Sequence, residues 1–378
     1  MENKNLIVAL LALGFGLSGI GLGTYAAVVR GPPGPPGQDG ADGNDGTDGT
    51  DGTDGKDAPG FYCFTETEIQ IAIATIGLGS GIIIIMEDIL LSSAIVINGG
   101  GDYIIQGYGL KTIQSPISDA AFNITFARSC ILRDLIIDAS KAIVDIFAIR
   151  IMEINNNEIL IENVHIFDGE NRPYSSGIFV SSENVIVRNC KIESIRNAIW
   201  IQSNYTIISD NLFINAVIGI FMYSTIRNVI IHNYIETTSF GIEAVNSNYT
   251  VISYNIIKEF YVVGIILCSG YLFTSPSPGG LEHNTFHNEI VGNQISEASP
   301  PSYENNRTCI WVEDSEENEI IGNYCFKCIN ENPSYYGMGI TCIDADNNYI
   351  ATNTLIINDI NFYIDSSSTG NILLGNVE

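Results

Sequence analysis

Residues 228–260 read "NVIIHNYIETTSFGIEAVNSNYTVISYNIIKEF". Two short alternating runs, "NVIIHNYI" and "YTVISYNII", each turn at an asparagine, Asn233 and Asn255, and the small-residue pair Gly241-Ile242 lies between them. β-Branched residues alternating over three or four positions suit pleated strands, and no run holds a helical period for ten residues. Outward from here the asparagine recurs every 22 residues, at Asn189, Asn211, Asn233 and Asn255, with later members Asn293, Asn323 and Asn353. The small residue before isoleucine keeps nearly the same step: Gly177-Ile178, Ala198-Ile199, Gly219-Ile220, Gly241-Ile242, Gly264-Ile265 and then Gly339-Ile340. A period near 22 with several short strands per period predicts a solenoid, each coil burying its apolar face against the next. The seven asparagines are expected to stack as a structural ladder, each amide bonding to the coils above and below it.

Before the repeats, "TETEIQIAIATIGLG" reads as one amphipathic helix. Thr65 and Glu68 make a capping box, and Ile69, Ala72, Ile73 and Ile76 share one face. With the Ile-x-Gly-x-Gly turn at Ile105, Gly107 and Gly109, this beginning and the repeats after it resemble the right-handed parallel β-helix proteins of the pectate-lyase-like superfamily, over residues 61–378. The resemblance implies an all-β fold: a right-handed parallel β-helix solenoid whose N-terminal helix caps one open end of the stack. Two long steps in the period, Gly264 to Asn293 and Asn293 to Asn323, mark inserted loops expected to project from one flank.

The first 60 residues differ in composition. Residues 6–29 carry no charge over 24 positions, enough for about 30 Å of hydrocarbon as a helix, so residues 1–30 are read as a transmembrane anchor. A cleaved signal peptide is the rival, with Thr24-Tyr25-Ala26 as its small-residue site. From Gly31 to Gly55 glycine stands at every third position, the requirement of a collagen triple helix, so residues 31–60 are read as a collagen-like stalk and the protein as a homotrimer. In such a trimer Cys63 would lie near two symmetry mates, which allows an interchain disulfide.

The chain has 378 residues and a formal charge of −27. Such acidity repels phosphate backbones and excludes nucleic acid as a partner; Ca²⁺ or a basic partner is the natural counter-charge. The polygalacturonase-like motifs that the resemblance would bring (Asn-Thr-Asp, Asp-Asp, Gly-His-Gly, Arg-Ile-Lys) are missing. The nearest candidate for chemistry is a polar belt with Asp134, Glu162, His165, Asp168, Lys191 and Glu193, in which coil alignment stacks Arg133, Glu162 and Arg188. Paired carboxylates about 5–9.5 Å apart could serve glycosidic acid–base chemistry, whereas an ordinary charged face would be laced with ion pairs. His283 and His287, four residues apart, could hold a metal if helical, although Asn284 and Thr285 between them are poor helix formers. No cofactor is implied. Four N-x-T sequons begin at Asn123, Asn204, Asn248 and Asn306.

The expected function is that of a membrane-anchored, trimeric structural or adhesion protein, its head exposed on a cell or virion surface and binding glycans or a protein partner along its flank. The rival is a polysaccharide lyase, glycosidase or epimerase on a stalk. A metal-delivery role is disfavoured by five Met and four His that do not cluster.

Overall fold

One coil shows how the chain builds itself. Val185–Arg188, Lys191–Glu193 and Asn197–Ile201 follow one another with turns between them, and each strand pairs in parallel with its counterparts in the coils before and after. Val187 lies between Ile161 and Ile208, Ile192 between Ile166 and Phe213, and Ile199 between Ile178 and Ile220. Repetition of this unit gives three parallel sheets around one core. In the computed structural model the described residues are 58–377, apart from 117, 142–145, 153–157, 169–174, 237, 270–284, 297–306, 330–335 and 357. The expected membrane segment (residues 6–29) and the triplets (residues 31–57) lie outside them.

Sheets 1 and 2 take the first and second strand of each coil, and in the early coils the long strands Asp102–Gln114, Ser129–Asp138 and Glu158–Phe167 bend through the corner and serve both. Sheet 3 has eleven strands, from Ile95–Ile97 to Ile360–Ile364. The small-Ile pairs meet in sheet 3, where Ile178, Ile199, Ile220, Ile242, Ile265, Ile310 and Ile340 form one buried column ending on Phe362. Space decides the small residue. A methyl group on Gly241 would meet the carbonyl oxygen of Gly264 in the next coil at 2.4 Å.

Helix α1 (Glu66–Ile76) covers the first end of the stack. Thr65 Oγ1 accepts the Glu68 N–H at 3.3 Å, and the Glu68 carboxylate accepts the Thr65 N–H at 3.1 Å, which satisfies donors that a helix start leaves unpaired. Ile69, Ala72, Ile73 and Ile76 are buried beneath it. Cys63 belongs to this buried layer: its strand, Gly60–Cys63, pairs in parallel with Ser80–Ile85, with Cys63 opposite Ile85. At 2% exposure its thiol is buried within its own chain, so the interchain disulfide expected of it would require this layer to open. At the far end Ile372, Leu373, Leu374 and Val377 are exposed.

The asparagine ladder runs through Asn211, Asn233, Asn255, Asn293, Asn323, Asn353 and Asn376. Each Nδ2 donates to the next Oδ1 at 3.0 Å. The same oxygen also accepts the backbone N–H of the residue below, at 2.9–3.1 Å. The second amide hydrogen reaches back to a carbonyl, as from Asn255 to Ile230 at 3.0 Å. Asn189 is not in this column. That coil steps by 21 residues, so Cys190 takes the ladder place and donates its N–H to Asn211 Oδ1 at 2.9 Å. Asn189 sits one place earlier, exposed at a left-handed corner with φ 53°.

A second column, five residues upstream in each coil, was not anticipated. It comprises Thr206, Asn228, Thr250, Asn288, Asn318, Asn348 and Asn371, with Asn288, Asn318 and Asn348 donating to the next oxygen at 2.9–3.0 Å. Its signal was present as Asn-x4-Asn at 228/233, 288/293, 318/323, 348/353 and 371/376.

Truncating one ladder amide strands several buried polar groups at once, each costing about 1–3 kcal/mol. Asn255→Ala is therefore expected to lower the unfolding free energy in urea by about 3 kcal/mol or more, whereas Asn189→Gly, outside the column, changes it by under ~0.5 kcal/mol. Equal effects would remove the ladder from its place in the stability of the stack.

Candidate functional site

The polar belt lies on the outer faces of sheets 1 and 2 in the early coils. Arg133 lies opposite Glu162, and Arg188 opposite Glu162 from the other side. Arg188 Nε donates to Glu162 Oε1 at 2.8 Å, and Arg133 donates to Gln106 Oε1 at 2.6 and 2.9 Å. Glu193 takes His165 Nε2 on one oxygen at 2.8 Å and Lys191 Nζ on the other at 2.7 Å. Burial works against the Glu193 charge, but the hydrogen bonds and charges of Lys191 and His165 outweigh it and hold the carboxyl below its ordinary range. Asp134, at a left-handed corner, accepts Asn163 Nδ2 at 2.6 Å. Asp168 stands apart, buried, with its N–H on the Glu193 carbonyl at 3.3 Å. The Glu162 and Glu193 oxygens are thus occupied by neighbouring side chains, which suits a buttress between coils better than proton transfer.

His287 is not helical. It follows the strand Thr285–Phe286 at a left-handed corner, φ 55°, with Nε2 3.1 Å from Glu317 Oε2 and its ring stacked 5.1 Å from that of Tyr249. His283 lies outside the described residues. Among the described residues no cluster of three or more His, Cys, Asp or Glu could hold a metal ion. Two of the sequon amides have structural work: Asn204 Oδ1 accepts the Ile226 N–H at 2.7 Å, and Asn248 Oδ1 accepts that of Phe286 at 2.8 Å.

The corner leading into sheet 1 carries residues that the belt reading passed over. Tyr205, Arg227, Tyr249, His287 and Glu317 stand one above another, all at φ between 54° and 60°, before the column passes to Asn347 and Gly370. This conformation costs an L-residue about 1–2 kcal/mol and is normally left to Gly, Asn or Asp. The corner leading into sheet 2 keeps nearer to that rule, with Asp134, Asn163, Asn189, Asp210, Gly292, Gly322 and Gly375 beside the exceptions His232, Tyr254 and Thr352. In the Tyr–Arg column the side chains make a continuous exposed ridge. The Arg227 guanidinium lies 5.9 Å from the Tyr205 ring and 6.0 Å from the Tyr249 ring, with Nη1 donating to the Tyr205 hydroxyl at 3.0 Å. Tyr205 and Tyr249 are 43% and 39% exposed. With Arg227 over one face of Tyr249 and His287 stacked on it from the next coil, the column turns half-exposed aromatic edges and a guanidinium outward, against which a sugar can pack and a carboxylate or hydroxyl can pair.

The insertions follow Val263–Cys268 of sheet 3 and Gln294–Ser296 of sheet 2, and the loops expected to project from one flank lie largely outside the described residues. Sheet 3 itself carries a second apolar cluster on its outer face, with Phe221, Val245, Val263, Ile266 and Cys268 buried beside Trp200 and Trp311. Glu243 stands in it, between Phe221 and Ile266. Burial pushes its carboxyl up to about 7. Glu313, two coils on, is also raised, first by burial and then by Asp314 and Asp344. The backbone positions of Glu243 and Glu313 are roughly 12 Å apart, from two coil spacings and two residues along the strand, wider than a hydrolytic carboxylate pair.

The raised carboxyl has a stability consequence with a definite sign. Between the unfolded value of 4.5 and the folded value of about 7 the native state holds a proton that the unfolded chain has lost, so stability falls as pH rises through this window. Glu243→Gln is expected to flatten that fall and to be more stable than the parent at pH 8 by about 3 kcal/mol in urea unfolding. Parallel pH curves for the two proteins would show that Glu243 is solvated.

The fold has relatives of known structure. The chain is similar to the A-module of mannuronan C-5 epimerase AlgE6 from Azotobacter vinelandii, at 12% sequence identity and TM-score 0.53, covering 82% of this chain and 94% of that one. It is similar to DFA-IIIase from Arthrobacter chlorophenolicus A6, at 12% identity and TM-score 0.53, covering 85% and 92%. It is also similar to a tailspike protein of E. coli bacteriophage HK620 in complex with a pentasaccharide, at 12% identity and TM-score 0.53, covering 84% of this chain but only 62% of the tailspike. At these identities the likeness is one of fold. No curated protein matches the chain in sequence. Residues 176–355 match the family described as right handed beta helix region, and the described body is a right-handed parallel β-helix with carbohydrate-related structural neighbours.

Proposed function

We propose that this chain is a glycan-binding surface protein: a β-helix head displayed as a homotrimer on a collagen-like stalk above a membrane anchor at residues 6–29. The observation that carries the binding reading is the ridge Tyr205–Arg227–Tyr249, where bulky side chains occupy left-handed corners that cheaper residues could fill. Conformational cost retained at an exposed site is the pattern expected where side chains serve a ligand. The tailspike neighbour in complex with a pentasaccharide supports a saccharide as that ligand. The stalk, the trimer and the anchor are supported by the strict glycine period and the uncharged segment of the sequence. Three heads on one stalk would multiply a weak single-site affinity through effective concentration.

A second reading, polysaccharide cleavage or epimerisation, is favoured by one observation: the Glu243 carboxyl near 7 beside aromatic side chains is suited to donate a proton at neutral pH. The occupied carboxylates of the belt and the wide Glu243–Glu313 spacing place it second.

Screening the full chain against an oligosaccharide array, followed by titration of the best ligand, tests the first reading. Tyr249→Ala is expected to weaken binding about tenfold, as loss of one aromatic contact should, and Tyr249→Phe to retain it. Binding that survives both Tyr249→Ala and Arg227→Ala would place the ligand elsewhere; product released by the parent and not by Glu243→Gln would favour the enzyme. Light scattering of residues 31–378 is expected to give a trimer that becomes a monomer when Gly40, Gly43 and Gly46 are changed to Ala.

A further inference from the structure

The small-residue column of sheet 3 has one member that is not small. In successive coils it reads Gly177, Ala198, Gly219, Gly241, Gly264, Cys309 and Gly339, the register running through Ile265 opposite Ile310 and Ile310 opposite Ile340. Each of these positions faces a core residue of sheet 2. A Cβ built on Gly177, Gly219, Gly241 or Gly264 lies 2.5–3.0 Å from the Cγ2 of Ile192, Ile235, Ile257 or Ile295 respectively. One coil beyond the Gly264–Ile295 pair stand Cys309 and Cys325, because Gly264 precedes Ile265, which pairs with Ile310, while Ile295 pairs with Cys325. The sheet 2 column around it reads Ile235, Ile257, Ile295, Cys325 and Leu355. Where the small residue grows to cysteine, the aliphatic residue facing it shrinks to cysteine.

Two thiols thus take the place of a glycine and an isoleucine. In the neighbouring coils Cγ2 is one carbon–carbon bond from the isoleucine Cβ, so the two Cβ positions are no farther apart than the roughly 4.5 Å that a disulfide spans. Both cysteines are fully buried, and the nearby thiols of Cys325 and Cys328 add to burial in raising the pKa of the Cys309 thiol. Cys328 is the less suited partner, since its sulfur is engaged with the Arg307 carbonyl oxygen at 3.3 Å. All eight cysteines are unpaired in this structure.

We propose that Cys309 and Cys325 form a disulfide that staples adjacent coils when the chain folds in the presence of a small-molecule disulfide such as oxidised glutathione. One thiolate attacks the small disulfide, releasing one small thiol, and the second protein thiolate displaces the other. The two protein thiols are oxidised, the small disulfide is reduced to two small thiols, and the protein's two protons pass to them. Closure of the core removes both sulfurs from solvent, so exchange belongs to the folding chain and not to the finished stack. The staple closes a 16-residue loop and ties sheet 3 of one coil to sheet 2 of the next, which is the form of link that restricts the unfolded chain.

The test is to refold the full chain with oxidised or with reduced glutathione, alkylate it in denaturant and map the peptides by mass. After oxidised glutathione the expected product is two hydrogens lighter, with a Cys309–Cys325 link, and melts at a higher temperature than the chain refolded with reduced glutathione. The double variant Cys309→Gly, Cys325→Ile, which restores the pair found in neighbouring coils, is expected to keep the parent's circular dichroism and to melt at the same temperature after either refolding. Eight free thiols after oxidative refolding, a Cys325–Cys328 link instead, or zinc retained by the thiols would each overturn the proposal.

Discussion

Register between successive coils is the constraint on which this molecule depends. Strands of three to six residues cannot hold themselves, and a one-residue slip would turn every buried isoleucine to solvent. The asparagine columns prevent the slip because an amide can satisfy both its hydrogens and its oxygen only when its counterpart lies directly above it. Asn233, Asn255 and Asn293 do so at 2.9–3.0 Å through backbone and side-chain donors alike. From Ile207–Ser209 onward two such columns bracket the strands of sheet 1, so the apolar columns of all three sheets inherit their alignment there. Even the coil that lacks the asparagine keeps the place, with the Cys190 N–H on the Asn211 oxygen.

A stack fixed in this way leaves its corners free to vary. At the corner into sheet 2 the left-handed residues are mostly Asp, Asn or Gly, which accept that conformation at low cost. At the corner into sheet 1 the same conformation is imposed on two tyrosines, an arginine and a histidine, and their side chains form the ridge above the coil. The belt is different in kind. Glu162 meets Arg188 of the next coil and Glu193 meets His165 of the preceding coil, both at 2.8 Å, while Lys191 of its own strand holds the other Glu193 oxygen at 2.7 Å, so side chains that look catalytic in a linear reading serve instead as rungs. Ion pairs this exposed contribute little individually, and their use here is to match charge from coil to coil.

The interior follows the same rule of compensation between coils. Gly264 against Ile295 and Cys309 against Cys325 fill the same space by different means, and neither half of a pair is intelligible without the other. Cys325 alone reads as a substitute for an aliphatic residue. Its facing partner comes from a different sheet and is visible only once the register is known.

Much of the fold was legible because it repeats. The 22-residue step, the small-Ile pairs and the capping box of α1 are local patterns, and local patterns report the strand, the turn and the cap. The ladder was misplaced at Asn189 because one coil is a residue shorter, and counting along a chain cannot tell a shortened turn from a shifted one. The Tyr205–Arg227–Tyr249 ridge escaped notice because its signal is a backbone angle, and the buried carboxyl of Glu243 because an acidic residue in an alternating strand gives no sign of what covers it. By itself the sequence determined that short strands would coil with a period near 22 and bury isoleucine. The tertiary structure alone decided which side chains meet, because contacts between coils depend on the residues of every turn between them, and one residue more or fewer moves each contact to a new partner.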